Sequence, residues 1–226
     1  MLLSLVLVSL AFAGTPSPDG WLEEDEAPVS IELGKRDPRR CSKHWLFNGR
    51  QLPPAPTLYK RWHAEKAFGT PEMLDVLQSG AEEMTWLAPD ADPIVVGDIS
   101  TRRGGHLQGH KSHKGGLDAD IGLYWGDGQM FMGGFREVTP RDLDARSNWL
   151  LIRAMLNTGE VERILLDQKL INVLRRYTID SGELTAAEAS RIFWRSSDPR
   201  VWSKDGVVHH VEGHKHHMHV RVKCPD

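Results

Sequence analysis

The chain has almost no cysteine: two residues, Cys41 and Cys224, in 226. That scarcity excludes a cysteine-walled structural zinc site and a disulfide-dense scaffold, so an apolar core must carry the fold. With 40% hydrophobic and 26% charged residues, the length suits one well-buried globular domain and is short for two. Long apolar runs are lacking as well; the run at residues 2–12 is too short to span a bilayer comfortably, which speaks against stable membrane insertion. Charge of one sign does not dominate either. The net charge is -3 and Lys and Arg are scattered instead of gathered in a stripe, so no nucleic-acid partner is expected.

No Lys or Arg precedes that first apolar run, yet it ends in Ala11-Phe12-Ala13, a small-x-small pattern. The pattern predicts a signal peptide over residues 1–13, cut after Ala13, and no cysteine follows the cut to take a lipid anchor. Residues 14–28 are Pro-rich and acidic, with Glu23, Glu24, Asp25 and Glu26 in a row, and read as a flexible leader before a domain at 29–226. Export would put Cys41 and Cys224 in an oxidising compartment, where they are expected to pair. Closing so long a loop is worth about 4–5 kcal/mol as an upper figure.

Histidine, by contrast, is plentiful. Six of the 11 histidines lie in two windows: His110 and His113 in one, His214, His216, His217 and His219 in the other. Gly115-Gly116 between His113 and Asp120 breaks any helix there and predicts a loop that folds both side chains toward one point. If the second window is a strand, His217 and His219 share one face and Met218 turns into the core, leaving His216 on the opposite parity and exposed. Asp118 and Asp120 would likewise share a face. Two histidines and a carboxylate form a three-ligand zinc set that leaves a fourth position for water, as catalytic zinc sites do. The alternative is a solvated, metal-scavenging histidine tail.

The remaining elements follow from local signals. Between residues 29 and 59, four prolines predict extended segments and turns. Thr70-Pro71-Glu72 opens a helix over 71–87 whose apolar stripe is core. Residues 93–100 form a buried strand delivering the chain to the active-site edge, followed by a basic glycine-rich loop in which Arg102 or Arg103 could meet a substrate carboxylate. The strand carrying Asp120 continues through Trp125 and turns at Gly126-Asp127-Gly128; helices are predicted over 143–157 and 168–177, a strand over 161–166, and a short helix over 185–193. Trp194 and Trp202 either wall a cleft or cover the core, and the core is the expectation.

Ser112-His113, Asp118-Ala119-Asp120-Ile121 and the closing Gly213-His214-x-x-His217-x-His219-Val220-Arg221 resemble the penicillin-insensitive murein endopeptidases, of the lysostaphin and D-Ala-D-Ala metallopeptidase group. Ser30-Ile31, Leu52-Pro53, Phe68-Gly69-Thr70, Val96-Gly97-Asp98-Ile99-Ser100 and Val161-Glu162-Arg163-Ile164 fall in the same order, so the resemblance covers about 29–226. It implies an α+β fold, with a small antiparallel β-sheet core carrying the zinc site and helices and long loops around it. It further implies His113, Asp120 and His219 as ligands to one catalytic Zn2+, His217 as general base, His214 beside it, and His110 orienting a ligand or the substrate. The position matching the family's histidine for an additional metal is Asn148, which speaks against a second ion. The implied activity is hydrolysis of D-alanyl to meso-diaminopimelyl cross-links of peptidoglycan in the periplasm. Alternatives are a D,D-carboxypeptidase of the same group and a non-catalytic zinc- or cell-wall-binding module. Nothing in the sequence fixes an oligomeric state.

Overall fold

The computed structural model describes residues 44–194 and 206–224. The strands are β1 (Arg50–Gln51), β2 (Tyr59–Arg61), β3 (Phe68–Gly69), β4 (Ile94–Val96), β5 (Asp118–Gly122), β6 (Val161–Leu166), β7 (Val208–His210) and β8 (His217–Val222). The helices are α1 (Pro71–Leu87), α2 (Ala145–Asn157), α3 (Gln168–Asp180) and α4 (Ala186–Ile192). Six strands form one sheet in the order β2-β4-β5-β8-β6-β7, and β1 pairs with β3 beside it. The fold is α+β. Its four central strands are antiparallel, but the edge pairs β2–β4 and β6–β7 are parallel, so the sheet is larger and more mixed than the small antiparallel core expected. The reason lies in the connections: parallel neighbours need a crossover, and α1 supplies it at one edge while α3 and α4 supply it at the other.

Local sequence explains where the helices begin. The Thr70 hydroxyl accepts the Met73 N–H at the start of α1, with Pro71 at the first helical position. Asp144 caps α2, Asp167 caps α3, and Thr185 with Glu188 forms a reciprocal capping box on α4. Helix α2 starts two residues later than periodicity predicts because Leu143 bridges to Trp125 and leaves Asp144 as the cap. The strand carrying Asp120 ends at Gly122, short of Trp125, and the predicted turn at residues 126–128 is present as an antiparallel bridge from Trp125 to Gln129.

The helix-facing side of the sheet is a continuous apolar core. Ala119 and Ile121 of β5 and Met218, Val220 and Val222 of β8 are fully buried in one cluster with Leu77 of α1, Leu151 of α2 and Leu174 of α3. Each large side chain so buried contributes about 1.5–3 kcal/mol. Alternate residues of the same two strands face the other way. That face holds Asp118, Asp120, His217, His219 and Arg221. Trp194 is half-buried and stacks on His209 at 5.7 Å; Trp202 lies outside the described residues. So do the apolar run, the acidic leader and Cys41, the partner predicted for Cys224; no described cysteine is free. Among the described residues no helix is long and apolar enough to cross a membrane.

Candidate metal centre

The two histidine windows meet at the centre of the sheet. Antiparallel pairing of β5 with β8 sets Asp120 opposite His219 and Asp118 opposite Arg221. His113 arrives from the preceding loop. Its passage depends on Gly116, whose φ of 70° favours glycine and whose Cβ would lie 2.6 Å from the Leu46 side chain. The His113 ring is 1% exposed, Asp120 2% and His219 7%.

Three atoms converge. His113 Nε2 lies 3.1 Å from His219 Nδ1 and 3.2 Å from Asp120 Oδ1, and His219 Nδ1 lies 3.1 Å from that same oxygen. The outer nitrogens decide the tautomers. His113 Nδ1 is 3.0 Å from the Ile99 carbonyl, which can only accept, so the proton is on Nδ1 and Nε2 keeps a lone pair. His219 Nε2 donates to Asp118 Oδ1 at 2.8 Å, and Arg221 grips the Asp118 carboxylate with two 2.8 Å bonds that keep it ionised. Three acceptors therefore face one another. With the His219 ring neutral this arrangement is repulsive, and it is relieved either by a proton on His219 Nδ1 donated to Asp120 or by a metal cation. A tetrahedral zinc with bonds of about 2.0–2.1 Å has ligand–ligand edges of about 3.3–3.4 Å, so the triangle fits one face of its coordination shell.

The electrostatics agree. Burial works against a charged His219, but its bonds to Asp118 and Asp120 outweigh that and raise its pKa to about 9. Burial would likewise raise Asp120, yet His113 and His219 hold its carboxyl well below the usual range. These are the signs of a seat for positive charge.

A second ring of groups surrounds the triangle. His217 Nε2 is 3.5 Å from Asp120 Oδ1, and burial pushes its pKa down to about 4 despite Asp120 nearby. Its Nδ1 is 2.6 Å from His216 Nδ1. This corrects the expectation that His216 is exposed: it is half-buried, its ring 4.6 Å from that of His217, because the turn before β8 folds it back beside its neighbour. His214 lies 5.0 Å from His217 and 6.0 Å from His219 between ring centroids. His110 can also offer an atom to the cluster, within 4.8 Å of donors on His113 and Asp120. Its Nδ1 is 3.5 Å from Asp120 Oδ2 and its Nε2 3.2 Å from Asp98 Oδ2, so the tighter triangle is the one made with His219.

Several site residues carried no recognisable signal. Asp98 was readable only as the end of a strand within a stretch that resembles the family. Trp62 and Phe135 form an aromatic wall: Trp62 stacks on His63 at 4.6 Å and meets Phe135 edge-on at 5.3 Å, and Phe135 stacks on His217 at 4.9 Å. The Phe135 ring fits only because residue 97 is glycine; a Cβ there would lie 2.4 Å from it. Arg102 and Arg103 are exposed on their loop. Asn148 is fully buried, and its side-chain amide is bonded to the backbone of Tyr124 and Asp144.

A sequence family described as penicillin-insensitive murein endopeptidase matches residues 40–176. The chain belongs to this family. A penicillin-insensitive murein endopeptidase of Haemophilus influenzae is 27% identical over 226 residues, covering 92% of this chain and 71% of the relative. Those of Yersinia enterocolitica and Escherichia coli O17:K52:H18 are 26% and 25% identical over 70% and 73% of this chain. The chain spans only 54% and 57% of the lengths of these last two. The family match ends before β8, so the place of His217 and His219 in the site rests on the geometry above.

Proposed function

We propose that the protein is an exported zinc endopeptidase that hydrolyses D-alanyl to meso-diaminopimelyl cross-links of peptidoglycan. The observation that carries the reading is the buried triangle of His113 Nε2, Asp120 Oδ1 and His219 Nδ1, with all three lone pairs turned inward. These residues would hold one Zn2+. Bound there, the ion supplies a Lewis acid for the scissile carbonyl and lowers the pKa of a water toward about 7.

The chain's own residues do the rest. When His217 Nδ1 donates to His216, Nε2 keeps its lone pair beside the triangle and can take a proton from the attacking water, later giving it to the leaving amine. Burial keeps that ring neutral and ready. His214, close to both His217 and His219, supports the base or the developing oxyanion. Asp118 fixes the His219 tautomer, and Arg221 fixes Asp118. The side chain of Asn148 is bonded to the backbone of Tyr124 and Asp144, which supports a site for one ion. The reading also includes removal of residues 1–13, a mature domain over 29–226 in the periplasm, and a Cys41–Cys224 bridge.

The test is digestion of purified peptidoglycan with and without a chelator, followed by mass spectrometry. Chelator-sensitive conversion of muropeptide dimers to monomers is the expected result. Release of terminal D-Ala alone would make the protein a carboxypeptidase, and retained zinc without turnover would make it a binding module.

A further inference from the structure

Asp98 lies just past β4 and is 7% exposed. Its carboxylate accepts three donors: His63 Nδ1 at 2.7 Å on one oxygen, and Lys66 Nζ at 3.0 Å and His110 Nε2 at 3.2 Å on the other. Burial alone would raise its pKa, but these three partners hold it well below the usual carboxylate range. An ionised carboxylate accepts only, so His110 must carry a proton on Nε2. The backbone ties the same residue to the site: Asp120 N donates to Asp98 O at 3.1 Å, and Gly97 N to Asp120 O at 2.8 Å.

We propose that Asp98 is a positioning residue of the metal centre, holding His110 with its Nε2–H turned away so that Nδ1 faces the Asp120 carboxylate. Hydrogen bonds to the far side of a metal-site histidine fix its tautomer and ring angle, and His110 is such a ring, tilted against His113 at 4.2 Å between centroids. His63 and Lys66 occupy the rest of the Asp98 carboxylate and prevent it from swinging away from His110. Trp62, stacked on His63, closes the outer side of this arrangement.

The inference rests on the zinc reading, so its test has an arm that needs no metal. In the metal-free wild type, at a pH where His110 is neutral, long-range imidazole proton–nitrogen correlations should show the Nε2–H tautomer. Asp98→Asn, with one acceptor oxygen for three donors, should shift His110 toward a mixture. In chelator competition Asp98→Asn should bind zinc about 10- to 100-fold more weakly than wild type. Combined with His110→Ala, the same substitution should cost no further affinity, because its partner in the site is gone. Equal losses in both backgrounds, or an Nδ1–H tautomer in the wild type, would overturn the proposal. Should Asp98→Asn fail to fold, Lys66→Met removes one clamp and should give a smaller affinity loss that also vanishes in His110→Ala. A wild type that binds no zinc would defeat the functional reading, and the tautomer measurement would still decide the role of Asp98.

Discussion

Strands β5 and β8 present two faces made from alternate residues of the same ten or so positions, and the faces obey different physics. Toward the helices stand Ala119, Ile121, Met218 and Val220, all fully buried and apolar. Toward the site stand Asp118, Asp120 and His219, almost equally buried and all ionisable. Burial of the first set stabilises the fold directly. Burial of the second costs free energy unless every charge is paired, and here the pairing is nearly closed: Arg221 to Asp118, Asp118 to His219, His219 to Asp120. What is left open is His113 Nε2, a further acceptor against the Asp120 oxygen that His219 already uses. Depth alone therefore does not separate core from site. The residual mismatch of acceptors does.

Substitutions on the two faces should separate cleanly. The largest effect is expected at the triangle, where His113→Ala, Asp120→Ala or His219→Ala should abolish measurable hydrolysis and most bound zinc, read by metal analysis beside a muropeptide assay. A His219→Ala protein with full zinc content would break the ligand assignment. On the opposite face, Met218→Ala should cost about 2–5 kcal/mol of stability in denaturant titration. Its zinc stoichiometry below the unfolding transition should remain that of the wild type, since only the helix side of β8 has changed. Loss of zinc in the folded Met218→Ala protein would mean that the two faces are mechanically coupled.

How much of this was legible in the sequence depends on whether a residue's role is local. Helix α1 was readable to its ends because Thr70 and Pro71 are adjacent to the stripe they start. Strand β6 was readable from its branched apolar run, and the parity of β8 placed His217, Met218 and His219 before any pairing was known. Which carboxylate on β5 belongs to the triangle could be taken only from the family resemblance, because Asp118 and Asp120 share a face and only the register to β8 assigns one to Arg221. Asp98 left only a strand end within a family-like stretch, with no sign of its partner, and His63, Lys66, Trp62 and Phe135 left no local trace. Each matters through a partner 12 to 82 positions away, as His110 is for Asp98 and His217 for Phe135. The parallel edges escaped for the same reason: a crossover is a property of connections and not of any one strand. His216 escaped because parity describes strands, and it sits one residue before β8 begins.

Within the site face, His217 and His219 sharpen the comparison further. They are two apart on one strand, yet burial drives His217 down to about 4 while Asp118 and Asp120 lift His219 to about 9 against its own burial. On the proposed reading, the ligand and the base are thereby distinguished by their neighbours. His217→Ala should keep near-stoichiometric zinc while turnover falls by roughly 10²-fold or more. If His217 is the base, the acidic limb of the wild-type rate profile should lie below the 6.5 of a free imidazole, because protonation of His217 is opposed by burial. If His217→Ala loses zinc as readily as His219→Ala, His217 is a ligand and the base must be His214 or His110.

The smallest effect expected is on the stability of the metal-free protein with pH, and it turns on the same contrast. His219 has a folded pKa raised above its unfolded value, so its contribution is fully present below about 6.5 and is lost as pH rises through about 9. Asp120 has a folded pKa depressed below the ordinary 3.8, so its contribution is present above that value and is lost only in acid. Together they make the chelated protein most stable between about pH 4 and 6.5 as far as this pair is concerned. Melting curves of chelated protein should therefore fall between pH 7 and 9.5. With zinc bound, the metal replaces the proton among Asp120, His113 and His219, and the decline over that window should disappear as zinc affinity itself rises with pH. Parallel declines with and without zinc would show that the proton on His219 and the metal do not compete, and the triangle would not be the metal's seat.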